Sequence, residues 1–116
     1  MEELLALAQD WLAPLGQVTG RKMMGGMTLY LDGVVFAILA DDLLWFKADK
    51  ESDAEWDAAG CDRFVVGEKD GVPQAMNYRR APGDVYDDPE DMRRWAVVAL
   101  AAGLRSAAKK RPRPRR

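Results

Sequence analysis

The sequence predicts an α+β domain: an antiparallel sheet of five to six strands with helices packed on it, in the order α-β-β-β-β-α-β-β-α. Three observations predict it. Apolar residues recur at helical spacing near both ends of the chain. Between them lie short extended runs split by Gly and Asp pairs. The first four runs are joined by connections of hairpin length, which makes neighbouring strands antiparallel. At 116 residues the chain is one domain, with room for a single core. That domain is expected over residues 1–104, followed by a basic, disordered tail over residues 105–116.

Leu4, Leu5, Ala8, Trp11, Leu12 and Leu15 form the stripe of the first helix, behind Glu2 and Glu3, which suit the positive end of its dipole. Pro14 and Gly16 end that helix. Strands follow near 18–24, 27–32, 34–40 and 43–47. Asp32-Gly33 lies between "MTLYL" and "VVFAILA", where a tight hairpin turn needs positive φ, and Asp41-Asp42 marks a second turn. "DKESDAEWDAAG" reads as a short helix with Ser52 as N-cap, Glu55 closing a capping box and Gly60 as the stop. "RFVV" and "AMNYRRA" are strands joined through the loop "GEKDGVPQ". The last helix opens with Asp88 as cap and Pro89 at its first position, and Met92, Trp95, Ala96, Ala99 and Leu100 form its stripe. The segment "KKRPRPRR" cannot be helical across its prolines.

Strand 34–40 is apolar on both faces: Val35, Ala37 and Leu39 alternate with Val34, Phe36 and Ile38. Helices in a two-layer domain cover one sheet face only. The other face needs a cover, and a second copy of the chain is the simplest one. Phe36 and Ile38 are therefore the expected residues of a homodimer interface.

Composition narrows the chemistry. No apolar run approaches the ~18 residues of a membrane span. The acidic start "MEELLALAQDWL" lacks the basic region of a signal peptide, and Cys61 stands alone, so a reducing cytoplasm is expected. The chain has no histidine, which removes the commonest general base and metal ligand. Cys61 has no base beside it and follows a helix C-terminus, which disfavours a thiolate. Met23, Met24 and Met27 invite comparison with a Cu(I) site, but methionine is a common filler of cores. Gly25-Gly26 lacks the remainder of a phosphate-binding motif and fits a turn between strands. The acids of Asp87–Asp91 lack the alternation of a calcium loop and fit helix capping. No catalytic residue, metal site or cofactor is expected.

The net charge of −2 hides an asymmetry. Arg105, Lys109, Lys110, Arg111, Arg113, Arg115 and Arg116 occur with no acid among them, leaving 10 basic against 19 acidic residues before them. Such a run is either a solvating appendage or a nucleic-acid contact in which Lys and Arg displace counterions from phosphates. Arg21, Lys22, Arg79 and Arg80 extend the patch if their strands are neighbours.

The run "GRKMMGGMTLYLDGVVFAIL" resembles the start of the TfoX N-terminal domain family, whose members show an R-R-M-F-G-G-x-G-L-Y-x-D-G pattern. "LLWFKAD", "AMNYRRAP" and "DPEDMRRWAVVAL" continue the resemblance in order over about residues 5–104, with Met24 replacing the usual phenylalanine and Met27-Thr28 the aromatic-glycine step. The resemblance implies a fold like that of secretion chaperones and no enzymatic residues. Full-length regulators of the family have a second, C-terminal domain, and this chain departs from them in being expected to be a stand-alone domain with a basic tail instead. The resemblance further implies a role like that of the TfoX/Sxy proteins, positive regulators of natural competence that assist the cyclic-AMP receptor protein at promoters of DNA-uptake genes. On this reading the basic tail adds non-specific DNA affinity. A dimeric adaptor with no nucleic-acid role is the alternative.

Overall fold

The structure, a computed structural model, describes residues 1–23 and 25–110. Its elements are α1 (Glu2–Trp11), β1 (Val18–Met23), β2 (Gly26–Leu31), β3 (Val34–Ala40), β4 (Leu43–Lys47), α2 (Asp53–Ala58), β5 (Arg63–Lys69), β6 (Val72–Arg80), a 3-10 turn (Gly83–Tyr86) and α3 (Pro89–Lys110). The six strands form one antiparallel sheet in the order β1-β2-β3-β4-β6-β5. The fold class and element order are those the sequence predicts. Among the described residues no helix is long and apolar enough to cross a membrane.

The turns follow from local chemistry. Asp32 and Gly33 (φ 49° and 82°) turn β2 into β3, and Asp41 and Asp42 (φ 53° and 58°) turn β3 into β4. Asp32 is held further by accepting a hydrogen bond from the Gln17 backbone N–H at 2.8 Å. Asp70 and Gly71 (φ 53° and 78°) form a third such turn. That turn corrects one expectation: "GEKDGVPQ" is not a loop but the two ends of a long hairpin. Pro73 is tolerated there because β6 pairs with β4 only from Tyr78 to Arg80, so on that side Pro73 has no ladder bond to lose.

All three α-helices pack on one face of the sheet. The core between them contains Phe36, Phe46, Trp56 and Trp95, whose rings follow one another at 6.5, 5.7 and 4.6 Å between centroids. Gly103 is the point of closest approach, since a Cβ there would collide with the Val35 carbonyl oxygen. A helix interior tolerates glycine poorly, so its use here marks contact of α3 with backbone.

Two local expectations change and one holds. Ser52 does not cap α2 with its side chain. Instead Ser52 Oγ accepts from the Asp49 N–H at 3.0 Å while Asp49 Oδ1 accepts from the Ser52 N–H at 3.1 Å, so the reciprocal box sits three residues upstream. Asp88 caps α3 as expected, accepting from the Glu90 N–H at 2.9 Å. That helix does not stop at Leu104 but runs to Lys110. Residues 105–110 are good helix formers with cations at the negative dipole end, so the change in charge at Arg105 is not a change in structure.

Candidate functional site

The two sheet faces differ because β3 carries a bulge. Leu29 pairs with Ala37 but Tyr30 pairs with Val35, leaving Phe36 as the extra residue. Phe36 and Ala37 thus both turn toward the helices, and Phe36 is fully buried in the core. This corrects its expected place at an interface, because strict alternation fails at a bulge. Ile38 does lie on the opposite face, yet it is only 2% exposed. Trp45, Tyr78 and Ala40 pack around it, with Val35, Leu43 and Phe64 at the margin. Trp45 lies edge-on to Phe64 at 4.9 Å and donates its indole N–H to the Ala40 carbonyl at 3.1 Å. The chain therefore covers Ile38 itself.

Register defines what remains accessible on this face. Arg21 pairs with Thr28, Thr28 with Ile38, Ile38 with Trp45, and Trp45 with Arg80. These five residues form one row across five strands, an exposed arginine at either end. A parallel row includes Lys47 and Tyr78, with the Lys47 ammonium 5.1 Å from the Tyr78 ring centroid. Beyond them the last turns of α3 overhang the sheet. There Lys47, Tyr78 and Thr28 meet Ser106 and Lys110 around a groove of about 290 Å³. Burial lowers the Lys47 pKa, the Lys110 charge lowers it further, and Asp49 opposes both. Burial also raises the Tyr78 phenol.

The expected basic patch of Arg21, Lys22, Arg79 and Arg80 is not assembled. β1 and β6 are separated by three strands, and Lys22 and Arg79 face the helix side. Arg79 is 1% exposed, donating to Asp57 Oδ1 at 2.7 Å, Asp53 Oδ1 at 3.0 Å and the Cys61 carbonyl at 2.9 Å. Desolvation opposes ionisation of Asp53, but hydrogen bonds from Asn77, Arg63 and Arg79 outweigh it and hold the carboxyl below its ordinary value. The signal for this network was Asp53 and Asp57 four apart, which sets both acids on one side of α2. The sequence reading missed that signal.

The remaining candidates resolve simply. Burial pushes the Cys61 thiol up, against the weaker pull of Arg79, so it stays a thiol. Met27 is buried beneath the helices while Met23 is exposed on the opposite face, so the two do not converge. Met24 lies outside the described residues, as do Arg111, Arg113, Arg115 and Arg116. Of the expected tail cations, Arg105 belongs to the folded body: its guanidinium donates to Asp49 at 2.6 and 2.9 Å and lies 3.2 Å from Glu51. Lys109 and Lys110 are exposed on the last turn of α3.

The arrangement is that of an α+β sheet domain with helices on one face and an accessible, cation-bearing second face. The TfoX N-terminal domain family matches residues 10–103, and the chain belongs to that family. It is similar to Protein Sxy of Escherichia coli (strain K12), with 26% identity over 108 residues, which is 93% of this chain and 51% of that protein. It is also similar to DNA transformation protein TfoX1 of Aliivibrio fischeri (strain ATCC 700601 / ES114), with 31% identity over 69 residues, 60% of this chain and 32% of that protein. The chain spans about half or less of the length of these curated relatives. Neither name denotes an enzyme.

Proposed function

We propose that this chain is a competence-type transcriptional co-regulator that works through protein contacts, with sequence-indifferent DNA affinity from its basic C-terminal segment. The observation that carries this reading is membership of the TfoX N-terminal domain family over residues 10–103, with a DNA transformation protein among its relatives. Its protein partner is a transcription regulator such as the cyclic-AMP receptor protein, and it acts in the cytoplasm. Lys109 and Lys110, exposed at the end of α3, place cations at the root of the segment that continues with Arg111, Arg113, Arg115 and Arg116. The adaptor alternative is favoured by Met23 and Met76, exposed at opposite margins of the open face, 44% and 41% respectively.

Interferometry of the purified chain against the cyclic-AMP receptor protein on a competence promoter tests the regulatory reading. The expected result is a ternary complex and raised output from a DNA-uptake gene reporter. A chain that leaves both promoter occupancy and reporter output unchanged overturns it in favour of the adaptor.

A further inference from the structure

We infer that the open sheet face, together with the groove beneath the end of α3, is a phosphodiester-binding surface, so that nucleic acid is held by the folded body and not by the tail alone. This rests on the DNA affinity proposed above and moves its principal contact to Arg21, Lys47, Arg80 and Lys110.

Charge is segregated between the two faces. The chain has 19 acidic residues, and among the described residues none occupies the open-face rows that contain Arg21, Lys47 and Arg80. The acid nearest to them in an ion pair is Asp62 at the sheet margin, 3.9 Å from Arg80, with both side chains exposed. Solvent screening leaves such a pair worth little. On the helix side, by contrast, Asp53 and Asp57 neutralise Arg79, and Asp49 and Glu51 neutralise Arg105.

The groove adds a site where like charges meet. Lys47 is half-buried and faces Lys110 across it, with Thr28, Tyr78 and Ser106 as neutral neighbours. Asp49, the acid that acts on Lys47, is already engaged by Arg105 and Ser52. Two cations held together with no ion-pair partner among the described residues are relieved by an anion between them, and the Tyr78 and Ser106 hydroxyls lie beside it to donate to a phosphate oxygen. The same row geometry sets a span. Arg21 and Arg80 are four strand spacings apart, ~19 Å at about 4.8 Å per spacing, more than the ~12 Å width of the major groove of B-DNA. The two arginines therefore reach phosphates on both sides of one groove.

Other occupants fit less well. A second copy laid face to face opposes cations to cations. A single strand stacked on the rings needs accessible faces, but Trp45 and Tyr78 are only 8% and 7% exposed. Contact is thus to backbone, and duplex is preferred over single strand.

Fluorescence anisotropy on random duplex DNA across a salt series tests this with four proteins: the full chain, a chain ending at Lys110, and the full chain carrying Arg21→Gln/Arg80→Gln or the same pair with Lys47→Gln. The double variant spares the half-buried Lys47 and keeps the test open should the triple fail to fold. The chain ending at Lys110 is expected to retain binding. The double and triple variants are expected to lose at least tenfold in affinity at ~50 mM salt, their log–log slopes shallower by about 1.8 and 2.7 at ~0.9 per phosphate contact. Full-strength binding by the double variant, with none by the chain ending at Lys110, overturns this inference and leaves the tail as the DNA contact. No binding by the full chain overturns both readings. Equal displacement of duplex by polyglutamate of matched charge overturns the nucleic-acid assignment in favour of an acidic protein partner, and self-association that buries the face overturns it in favour of a second copy.

Discussion

Arg79 and Arg80 are adjacent in sequence and belong to different environments. Arg79 is 1% exposed beneath α2 and satisfied by two carboxylates and a carbonyl, whereas Arg80 is exposed at the end of a row on the opposite face. The contrast extends to the whole sheet. The helix-covered face holds Phe36, Phe46, Trp56 and Trp95 in contact and matches Arg79 and Arg105 with acids. The open face hides Ile38 under its own rings, and among the described residues its cations have no buried acid as an ion-pair partner. A charge that stabilises must be matched within the chain, and one available for binding must not be. The two faces are read by that rule.

The sharpest way to break this comparison is to remove each arginine of the adjacent pair. Arg79→Met is expected to cost about 2–4 kcal/mol, because it takes the donor from the buried Cys61 carbonyl and leaves Asp53 only Asn77 and Arg63. Arg80→Met is expected to change stability by no more than about 0.5 kcal/mol. Urea unfolding of both variants measures the difference, and equal costs would erase the distinction between faces. A smaller effect follows at Gly103, where alanine drives a methyl into the Val35 carbonyl. Its expected cost is about 1–3 kcal/mol by urea unfolding, since α3 has to lift from the sheet.

The clasp between α3 and the β4–α2 connection is weaker and sensitive to pH. Hydrogen bonding from Arg105 holds Asp49 down to about 2 from an ordinary 3.8. A depressed carboxyl contributes its stability in full above the ordinary value and loses it as pH falls through the folded one. Arg105→Gln is therefore expected to cost about 1 kcal/mol at neutral pH, after allowance for partial exposure, and little at pH ~2. Thermal melts from pH ~6 to ~2 show whether the gap closes. Smallest of all is the stability effect of Arg21→Gln, about 0.5 kcal/mol or less, read from the same melts. A larger loss would mean that Arg21 is structural, and the open face would no longer differ from the covered one in kind.

Much of this was legible because it is local. Asp32-Gly33 must turn, Asp88-Pro89 must start a helix, and the stripe from Met92 to Leu100 must face a core. Short-range sterics and hydrogen bonding settle these, as one residue and its near neighbours contain all the information. The family run "MMGGMTLYLDG" is only partly of the same kind: its Asp32-Gly33 end is local, whereas at Gly26 a Cβ would meet the Leu39 carbonyl of the next strand.

What only the tertiary structure decided is non-local. Whether Phe36 or Ile38 faces the helices depends on a bulge opposite Leu29 and Tyr30, and one extra residue moves a side chain to the other face without leaving a trace in hydropathy. Whether an arginine is buried or free depended on which strand lay beside β6 and on α2 covering one side of it. The basic segment showed the same limit, because its charge is visible from Arg105 onward while the helix containing Arg105 is bound to Asp49, 56 residues earlier. Sequence alone determined the elements, their order and the family, since each is encoded by neighbours. The tertiary structure decided which charges are spent on stability and which face outward, since a charge's environment is set by residues distant along the chain.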